Sequence, residues 1–164
     1  MEDAEIEFIE QFGLMSKEDG LPRIAGRIYG LLLLQEEALC LDEMVDHLQV
    51  SKASISTNAR RLERMGVVQR IGKPGDRRDY YRASPDAIEG NFERVRSRME
   101  QMVQLLDATI PRLSDQQNTA LSRLEKMRDW HQFMLREMEG LLKRWEQSRQ
   151  QRDDVAPREE SSSQ

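Results

Sequence analysis

The chain has few of the side chains on which disulfide bonds and metal sites depend. Its 164 residues include one cysteine, Cys40, and two histidines, His47 and His131. One cysteine excludes an internal disulfide bond, and one thiol with two imidazoles is too little for a thiolate zinc site. We therefore predict no metal and no cofactor. Cys40 is interpreted as a small buried hydrophobic residue, with a redox-sensing thiol as the alternative.

Catalytic motifs and long apolar runs are also missing. We find no Ser-His-Asp order, metal motif or phosphate-binding loop, and we predict that the protein is not an enzyme. The longest uncharged apolar run, residues 28–34, is far shorter than the roughly 20 residues of a membrane-spanning helix. The first ten residues, MEDAEIEFIE, have no basic or apolar segment typical of a secretory signal. We therefore expect a cytoplasmic protein that has no membrane partner.

Basic side chains are outnumbered by acidic ones, 25 to 30, but they are concentrated in one segment. The formal net charge is −5, and residues 1–50 carry 3 basic and 12 acidic side chains. Residues 51–82 carry 9 basic and 3 acidic side chains, whereas residues 83–164 carry 13 and 15. A basic segment in an acidic chain is typical of a surface that binds a polyanion, although a solvated face with incidental Lys and Arg has the same composition.

Helical spacing of apolar residues predicts three helices before the basic segment. The first, over residues 2–14, alternates apolar side chains with glutamates. The second begins near Pro22. Its glycines, Gly26 and Gly30, lie four residues apart and hence on one face, which predicts close packing against another helix. A short third helix follows, for which Asp42 is the predicted N-cap.

The basic segment begins with a helix that has two different faces. Ser51 is suited to cap this helix, which extends to residue 64 or 65. At about 100° per residue, Ile55, Ala59 and Leu62 fall on one narrow arc and are predicted to be buried. Small polar side chains near the N-terminal end and arginines further along fall on the opposite and flanking sides.

A hairpin completes the basic segment. The β-branched residues of VVQRIGK predict one strand and DYYRA predicts a second, with the Pro-Gly turn signal of KPGDRR between them. Tyr80 and Tyr81 fall on opposite faces of the second strand, so one of them is predicted to enter the core. The hairpin tip is electropositive.

Two long helices and a polar tail are predicted after the hairpin. Apolar residues recur at steps of three or four from residue 88 to residue 113, close to a heptad pattern. Pro111 ends or kinks this helix, and a second helix begins at Ser114. Residues 149–164 are rich in Ser, Gln and charge and lack periodicity, so we predict a disordered tail.

The order helix, helix, capped helix and hairpin describes a winged helix-turn-helix. The predicted fold class is mostly α, with a winged helix-turn-helix and a long C-terminal helical dimerisation region. The major groove of DNA admits one α-helix, whose N-terminal residues reach the base edges. Cations belong beside the phosphates and at the hairpin tip. The predicted DNA-binding residues are Lys52, Ser54, Ser56, Thr57, Arg60, Arg61, Arg64, Lys73, Arg77 and Arg78.

Three segments carry a family resemblance. GLPRIAGRIYGLLLL, LDEMVDHLQVSKASISTNARRLERMGVV and GKPGDRRDYY resemble the MarR-type winged-helix regulators, and most of all their GbsR-like branch. The resemblance covers about residues 1–110 and implies a dimeric bacterial transcription factor. It implies that the helix from Ser51 is the recognition helix and that residues 73–78 are the wing. Asp76 and Arg78 match the wing pattern of the superfamily, although Arg78 could instead pair with Asp76 and stiffen the turn.

The predicted function is regulation of transcription by a homodimer that binds specific double-stranded DNA, most simply as a repressor. Two modules about 34 Å apart read a palindrome, whereas one module makes too few contacts for tight specific binding. We expect a dimer-associated helix at 1–20, the DNA-binding domain at 21–83 and helical dimerisation at 84–148. A monomeric helical hairpin is the alternative to the dimer.

Two other possibilities stay open at this stage. The alternative function is a winged-helix protein–protein interaction module, with the C-terminal helices as a docking stalk. A small-molecule effector would fit a cleft between the DNA-binding lobe and the helical stalk. We select Tyr29, Phe92 and Trp130 as its candidate contacts.

Overall fold

The structure is a computed structural model that describes residues 1–113 and 118–155. The predicted mostly α fold with a winged helix-turn-helix is confirmed. The chain forms two compact units, Met1–Asn91 and Phe92–Gln164. The elements in chain order are α1 (Asp3–Glu18), α2 (Arg23–Leu33), β1 (Leu39–Cys40), α3 (Leu41–Leu48), α4 (Lys52–Arg64), β2 (Val68–Gly72), β3 (Asp79–Ala83), α5 (Ala87–Thr109) and α6 (Asn118–Val155).

α1 and α2 cross at small residues. Gly13 and Ser16 of α1 and Gly26 of α2 are all buried. A Cβ atom on Gly26 would overlap the side chain of Ser16 and lie 2.9 Å from the Cα of Gly13. The absence of a side chain at Gly26 therefore lets the two backbones approach closely. The close helix packing predicted for the glycine face of α2 is confirmed, and its partner is α1.

The core of the first unit lies where α2 contacts α4 and the sheet. Ile28 and Leu31 of α2, Ile55 of α4 and Tyr81 of β3 have almost no exposed surface. Burying a large apolar side chain stabilises a fold by about 1.5–3 kcal/mol. The apolar stripe of α4 thus determines which side of that helix faces the core.

α3 begins earlier than the sequence predicts. Its first residue is Leu41, and Cys40, not Asp42, occupies the N-cap position. The carboxylate of Glu43 accepts a hydrogen bond from the Cys40 N–H at 2.6 Å, and this bond lowers the pKa of Glu43. Cys40 is buried and free. Its burial agrees with the interpretation as a small hydrophobic residue.

A three-stranded antiparallel sheet has the order β1-β3-β2. Both predicted strands are present, and their register pairs Val68 with Ala83 at one end and Gly72 with Asp79 at the other. The third strand, β1, has only two residues and carries no signal of its own in the sequence. It exists because the chain before α3 passes beside β3.

Tyr80 and Tyr81 are both buried, although the alternation of a strand predicts only one of them in a core. Tyr81 joins the main core, whereas Tyr80 packs with Ala38, Cys40 and Ile71 on the other face of the sheet. Tyr81 confirms the prediction that one of the two enters the core, whereas strand alternation does not anticipate the burial of Tyr80 as well. Cys40 of β1 and Ile71 of β2 are the register partners of Tyr80 on either side and share the second face with it, a contact that depends on the tertiary structure.

The end of α5 agrees with the sequence prediction, whereas the end of α6 lies further along the chain than predicted. α5 ends at Thr109, where a 3-10 turn over Ile110–Arg112 contains Pro111. Proline has no N–H, and it ends the helix as predicted. α6 continues to Val155, so the structure has helix over residues 149–155, where the sequence analysis predicts the start of a disordered tail. Gln and Arg have high intrinsic helix propensity, so this segment can be helical although it lacks an apolar stripe. The predicted start at Ser114 and the tail after 155 lie outside the described residues.

None of the helices within residues 1–113 and 118–155 combines enough length with enough apolarity to span a lipid bilayer. The same residues contain no group of three or more His, Cys, Asp or Glu side chains that could hold a metal ion.

Gly26→Ala is expected to lower the free energy of unfolding by about 1–3 kcal/mol, because the added methyl group overpacks the α1–α2 crossing. Urea unfolding followed by circular dichroism measures the change. Gly30→Ala is the matched control, since its Cβ would lie 3.4 Å from the Cβ of Phe12, an ordinary contact. Alanine favours the helix there by up to about 1 kcal/mol. Equal effects of the two substitutions would contradict the close crossing.

Candidate nucleic-acid interface

The N-terminal half of α4 offers short polar side chains to solvent. The hydroxyl of Ser51 accepts a hydrogen bond from the Ser54 N–H at 3.3 Å and caps the helix as predicted. Thr57 is exposed, whereas Ser54 and Ser56 are partly buried. Asn58 is buried, and its amide donates to the carbonyl of Ser54 at 2.9 Å. Thr57 is therefore the most accessible of the predicted base-reading side chains.

The C-terminal half of α4 carries three exposed arginines. Arg60, Arg61 and Arg64 form no ion pair with any carboxylate in the described part of the chain. Lys52, near the start of the helix, differs because its Nζ lies 2.6 Å from Oδ1 of Asp42. Both members of this pair are more than half exposed, so their interaction is weak and open to exchange.

The wing is a tight turn between β2 and β3. The Asp76 N–H donates to the carbonyl of Lys73 at 3.1 Å, which closes a four-residue turn. Pro74 and Gly75 are its central residues, and the φ of Gly75 is 80°. These are the residues and the backbone conformation of a type II turn. The turn predicted from the Pro-Gly pair is confirmed.

The carboxylate of Asp76 holds the wing in shape. It accepts hydrogen bonds from the Arg78 N–H at 2.9 Å, from Nη2 of Arg78 at 2.6 Å and from the Tyr80 hydroxyl at 2.8 Å. These donors lower the pKa of Asp76 well below its ordinary value, and the carboxylate in turn raises the pKa of Arg78. The pairing of Arg78 with Asp76 that the sequence allowed is present.

The two arginines of the wing have different surroundings. Nη1 of Arg78 lies 3.8 Å from Sγ of Cys40, and its guanidinium is 5.4 Å from the ring centroid of Tyr80. Nζ of Lys73 is 4.2 Å from the same ring centroid. Arg77 is exposed and has no ion pair within residues 1–113 and 118–155. The guanidinium of Arg78 is therefore bound within the wing, whereas that of Arg77 is available to bind an anion.

The structure divides the predicted cations into two groups. Arg60, Arg61, Arg64 and Arg77 are exposed and unpaired among the described residues. Lys52, Lys73 and Arg78 each have a carboxylate partner.

The sequence analysis did not select Arg70 and Tyr80 as site residues. Arg70 is exposed and pairs with Glu63 at 3.3 Å and Asp79 at 3.4 Å. The spacing of residues 76, 78 and 80 could have indicated Tyr80, because residues two apart in an extended chain lie on the same side.

Comparison with known proteins identifies the family of this chain. A model described as MmpR5-like MarR family transcriptional regulator matches residues 86–149, and a MarR family model matches residues 31–80. The HTH-type transcriptional regulator MmpR5 of Mycobacterium tuberculosis (strain ATCC 25618 / H37Rv) is 36% identical over 144 residues, which are 87% of this chain and 87% of MmpR5. The chain belongs to the MarR family. It is therefore a DNA-binding transcriptional regulator, and the predicted family is confirmed.

Two other relatives add detail within the MarR family. The HTH-type transcriptional repressor GbsR of Bacillus subtilis (strain 168) is 36% identical over 67 residues, which are 41% of this chain and 37% of GbsR. The likeness to GbsR is thus partial, whereas the likeness to MmpR5 extends over 87% of this chain. A crystal structure described as a transcriptional regulator superposes with a TM-score of 0.74 at 36% identity, over 88% of this chain and 99% of that one.

The residues selected for an effector have different environments in this MarR protein. Tyr29, in the first unit, packs against the core and contacts Phe12 edge to face with ring centroids 5.7 Å apart. Its burial raises the pKa of its hydroxyl. In the second unit, Phe92 lines a cavity of about 290 Å³ with Leu142 and charged side chains. Trp130 is not part of that lining and packs beside Phe133.

Asp76→Asn is expected to change how stability depends on pH. Because the pKa of Asp76 is lowered on folding, its stabilisation is complete above the ordinary value of 3.8 and is lost as pH falls toward the folded-state pKa. The difference in unfolding free energy between wild type and Asp76→Asn should be constant above about pH 5 and shrink as pH falls below the ordinary pKa. Urea unfolding across this range measures it.

The control for this measurement is Asp46→Asn, which removes an exposed carboxylate that has no ion pair among the described residues. Its difference from wild type should be small at every pH. If the Asp76→Asn difference stayed the same down to about pH 2, well below the ordinary carboxyl pKa, the carboxylate would not be organising the wing.

Proposed function

We propose that this protein is a homodimeric repressor that binds a specific double-stranded DNA sequence and occludes a promoter. α4 would enter the major groove, and the wing would contact the adjacent backbone or minor groove. The observation that carries this proposal is the exposed face of α4, where Thr57 is followed by three arginines without a carboxylate partner in the described residues. We place this action in the cytoplasm, where the DNA is, and assign no catalytic role.

The order of side chains along α4 suits the major groove. The hydroxyl of Thr57 can donate to or accept from a base edge near the N-terminal end of the helix. Arg60, Arg61 and Arg64 follow within two turns, where they can reach phosphates or the acceptors of guanine. Because these guanidiniums have no carboxylate partner in the described residues, binding to DNA costs them no internal ion pair.

The wing cations would act in two ways. Arg77 is proposed to contact phosphate or the minor groove, because it is exposed and unpaired among the described residues. Arg78 is proposed to support that contact through its bonds to Asp76. Lys52 and Lys73 would exchange their carboxylate partners for phosphates, because exposed ion pairs contribute only about 0–1 kcal/mol.

A homodimer is supported by apolar side chains that both units leave exposed. α1 exposes Phe8 and Met15, and the second unit exposes Trp130 and Phe133. One winged helix buries only about 600–1,000 Å² on DNA, whereas two modules about 34 Å apart read a palindrome. We propose that α1 and the long helices form the dimer interface and that residues 21–83 form the DNA-binding domain.

Repression and effector control complete the proposal. GbsR, to which part of this chain is similar, is named a transcriptional repressor. The cavity lined by Phe92 lies in the second unit and is a candidate place for an effector, with Tyr29 and Trp130 as further candidates. Such a ligand would regulate only if it bound the DNA-competent and incompetent states unequally.

Arg77→Ala is expected to weaken binding uniformly and to reduce its salt dependence. The slope of log K against log salt is negative, and each lost phosphate contact reduces its magnitude by about 0.9. Fluorescence anisotropy at several salt concentrations measures this on two duplexes of about 30 base pairs, which span two half-sites. One is enriched from a random pool by the wild-type protein, and the other is a scrambled sequence of equal composition. Lys126→Ala on α6, exposed and distant in sequence, is the control.

Thr57→Ala is expected to act on specificity rather than on salt dependence. Loss of a base-edge hydrogen bond should cost about 1–3 kcal/mol on the enriched duplex and relax base preference at one position. Binding to the scrambled duplex should stay within about twofold, because the phosphate contacts remain. Repeating the random-pool selection with the variant identifies the relaxed position.

The same titrations separate DNA binding from the protein-interaction alternative. If wild-type protein showed a flat salt dependence and no preference for any enriched duplex, the interaction module would replace the proposed function. If Arg77→Ala and Thr57→Ala both bound like wild type, the assigned contact surface would be wrong even though the protein binds DNA.

A further inference from the structure

Arg27 of α2 joins two elements that lie far apart in the sequence. Its Nη2 donates a hydrogen bond to the carbonyl of Leu48 at 3.0 Å. Its Nε lies 2.7 Å from Oε1 of Glu10 on α1. The side chain is only 19% exposed, so these contacts are largely screened from water. One guanidinium thus contacts both α1 and the C-terminal end of α3.

The Leu48 carbonyl lies at the turn that leads into α4. Leu48 is the last residue of α3, and Gln49 follows in the left-handed region with a φ of 52°. Ser51, three residues after Leu48, is the N-cap of α4. The last carbonyls of a helix have no partner within the helix, and a cation there is favourable. Arg27 therefore caps α3 at the turn between α3 and α4.

The opposite side of the guanidinium is held by α1. Within the described residues, Nε of Arg27 is buried and has no aligned hydrogen-bond acceptor, so its close approach to Glu10 is an electrostatic contact. Oε2 of Glu10 also accepts from Nη2 of Arg23 at 2.5 Å. The crossing of α1 and α2 at Gly13 and Gly26 fixes the distance that Arg27 has to span.

We propose that Arg27 is a positioning residue for DNA recognition, which couples Glu10 of α1 to the turn that aims α4. The proposal rests on the proposed function, in which α4 reads the major groove. A 13-residue helix is about 20 Å long. A small rotation at its N-terminal turn therefore displaces the arginines at its far end by several ångströms. Recognition tolerates errors of only about 0.5 Å and 10–20°.

A residue that merely stabilises the first unit would behave differently. Its loss would lower the folded fraction and reduce binding to every DNA sequence by the same factor. Loss of a positioning residue instead leaves the phosphate-binding arginines in place and selectively reduces binding to the enriched duplex. The ratio of the two affinities, measured far below the unfolding temperature, separates the two roles.

The test variant is Arg27→Gln, which removes the guanidinium group and its positive charge. Its matched control is Arg23→Gln, which removes the other arginine that pairs with Glu10 but leaves the Leu48 carbonyl capped. A second variant, Glu10→Gln, retains the guanidinium and removes only its partner on α1. Circular dichroism melts establish the temperature at which each variant is fully folded.

Hydrogen exchange of the DNA-free protein tests the coupling directly. Arg27→Gln should accelerate exchange of the amides in residues 49–54 by about tenfold, because their turn loses its tie to α2. Glu10→Gln should give a smaller acceleration in the same segment, and Arg23→Gln none. Unchanged exchange of residues 49–54 in Arg27→Gln would overturn the proposal, whatever the protein binds.

Anisotropy with the enriched and scrambled duplexes tests the consequence for recognition. Arg27→Gln should bind the enriched duplex about tenfold more weakly, because a displaced α4 loses the equivalent of one contact to a base edge. Binding to the scrambled duplex should change by less than about twofold. The double variant Glu10→Gln/Arg27→Gln should bind no more weakly than Arg27→Gln, since the two residues act through one contact.

Two results would contradict the positioning role. One is equal weakening on both duplexes by Arg27→Gln, which indicates a structural role only. The other is additive losses from Glu10→Gln and Arg27→Gln, which show that the residues act separately. A wild-type protein that preferred no duplex would refute the proposed function and the recognition role of Arg27 with it. Faster exchange of residues 49–54 in Glu10→Gln would then still show the coupling to α1.

Discussion

Burial of the apolar stripe of α4 determines which side chains of that helix face solvent. Ile55 and Ala59 have no exposed area and Leu62 only 2%. With 3.6 residues per turn, a helix that buries this stripe must turn its arginines outward. Core and interface are therefore two sides of one helix, and hydrophobic burial, not electrostatics, provides the energy that displays the positive charge.

Nearby carboxylates decide what each cation can do. Arg77 and Arg78 are neighbours with equal formal charge, but Arg78 is bound by Asp76 and packs beside the ring of Tyr80. Exposed ion pairs contribute little to stability. Their effect here is geometric, because a cation that shapes the wing is oriented by the protein, whereas Arg77 keeps its full capacity to bind an anion.

α1 is part of the same compact unit as α2, α3 and α4. Its crossing with α2 depends on Gly26, and its Glu10 contacts the arginine that caps α3. If Arg27 has the proposed positioning role, a displacement of α1 would reach the turn before α4 through these contacts.

The sequence by itself determined the winged helix-turn-helix, the buried stripe of α4 from Ile55 onward, the Ser51 cap and the Pro-Gly wing turn. All of these depend on local periodicity, capping or backbone preference, which nearby residues define. Only the tertiary structure decided that β1 forms, that both Tyr80 and Tyr81 are buried, and which cations are paired. These features depend on contacts between residues distant in the chain, such as Cys40 with Tyr80, and no local pattern specifies such contacts.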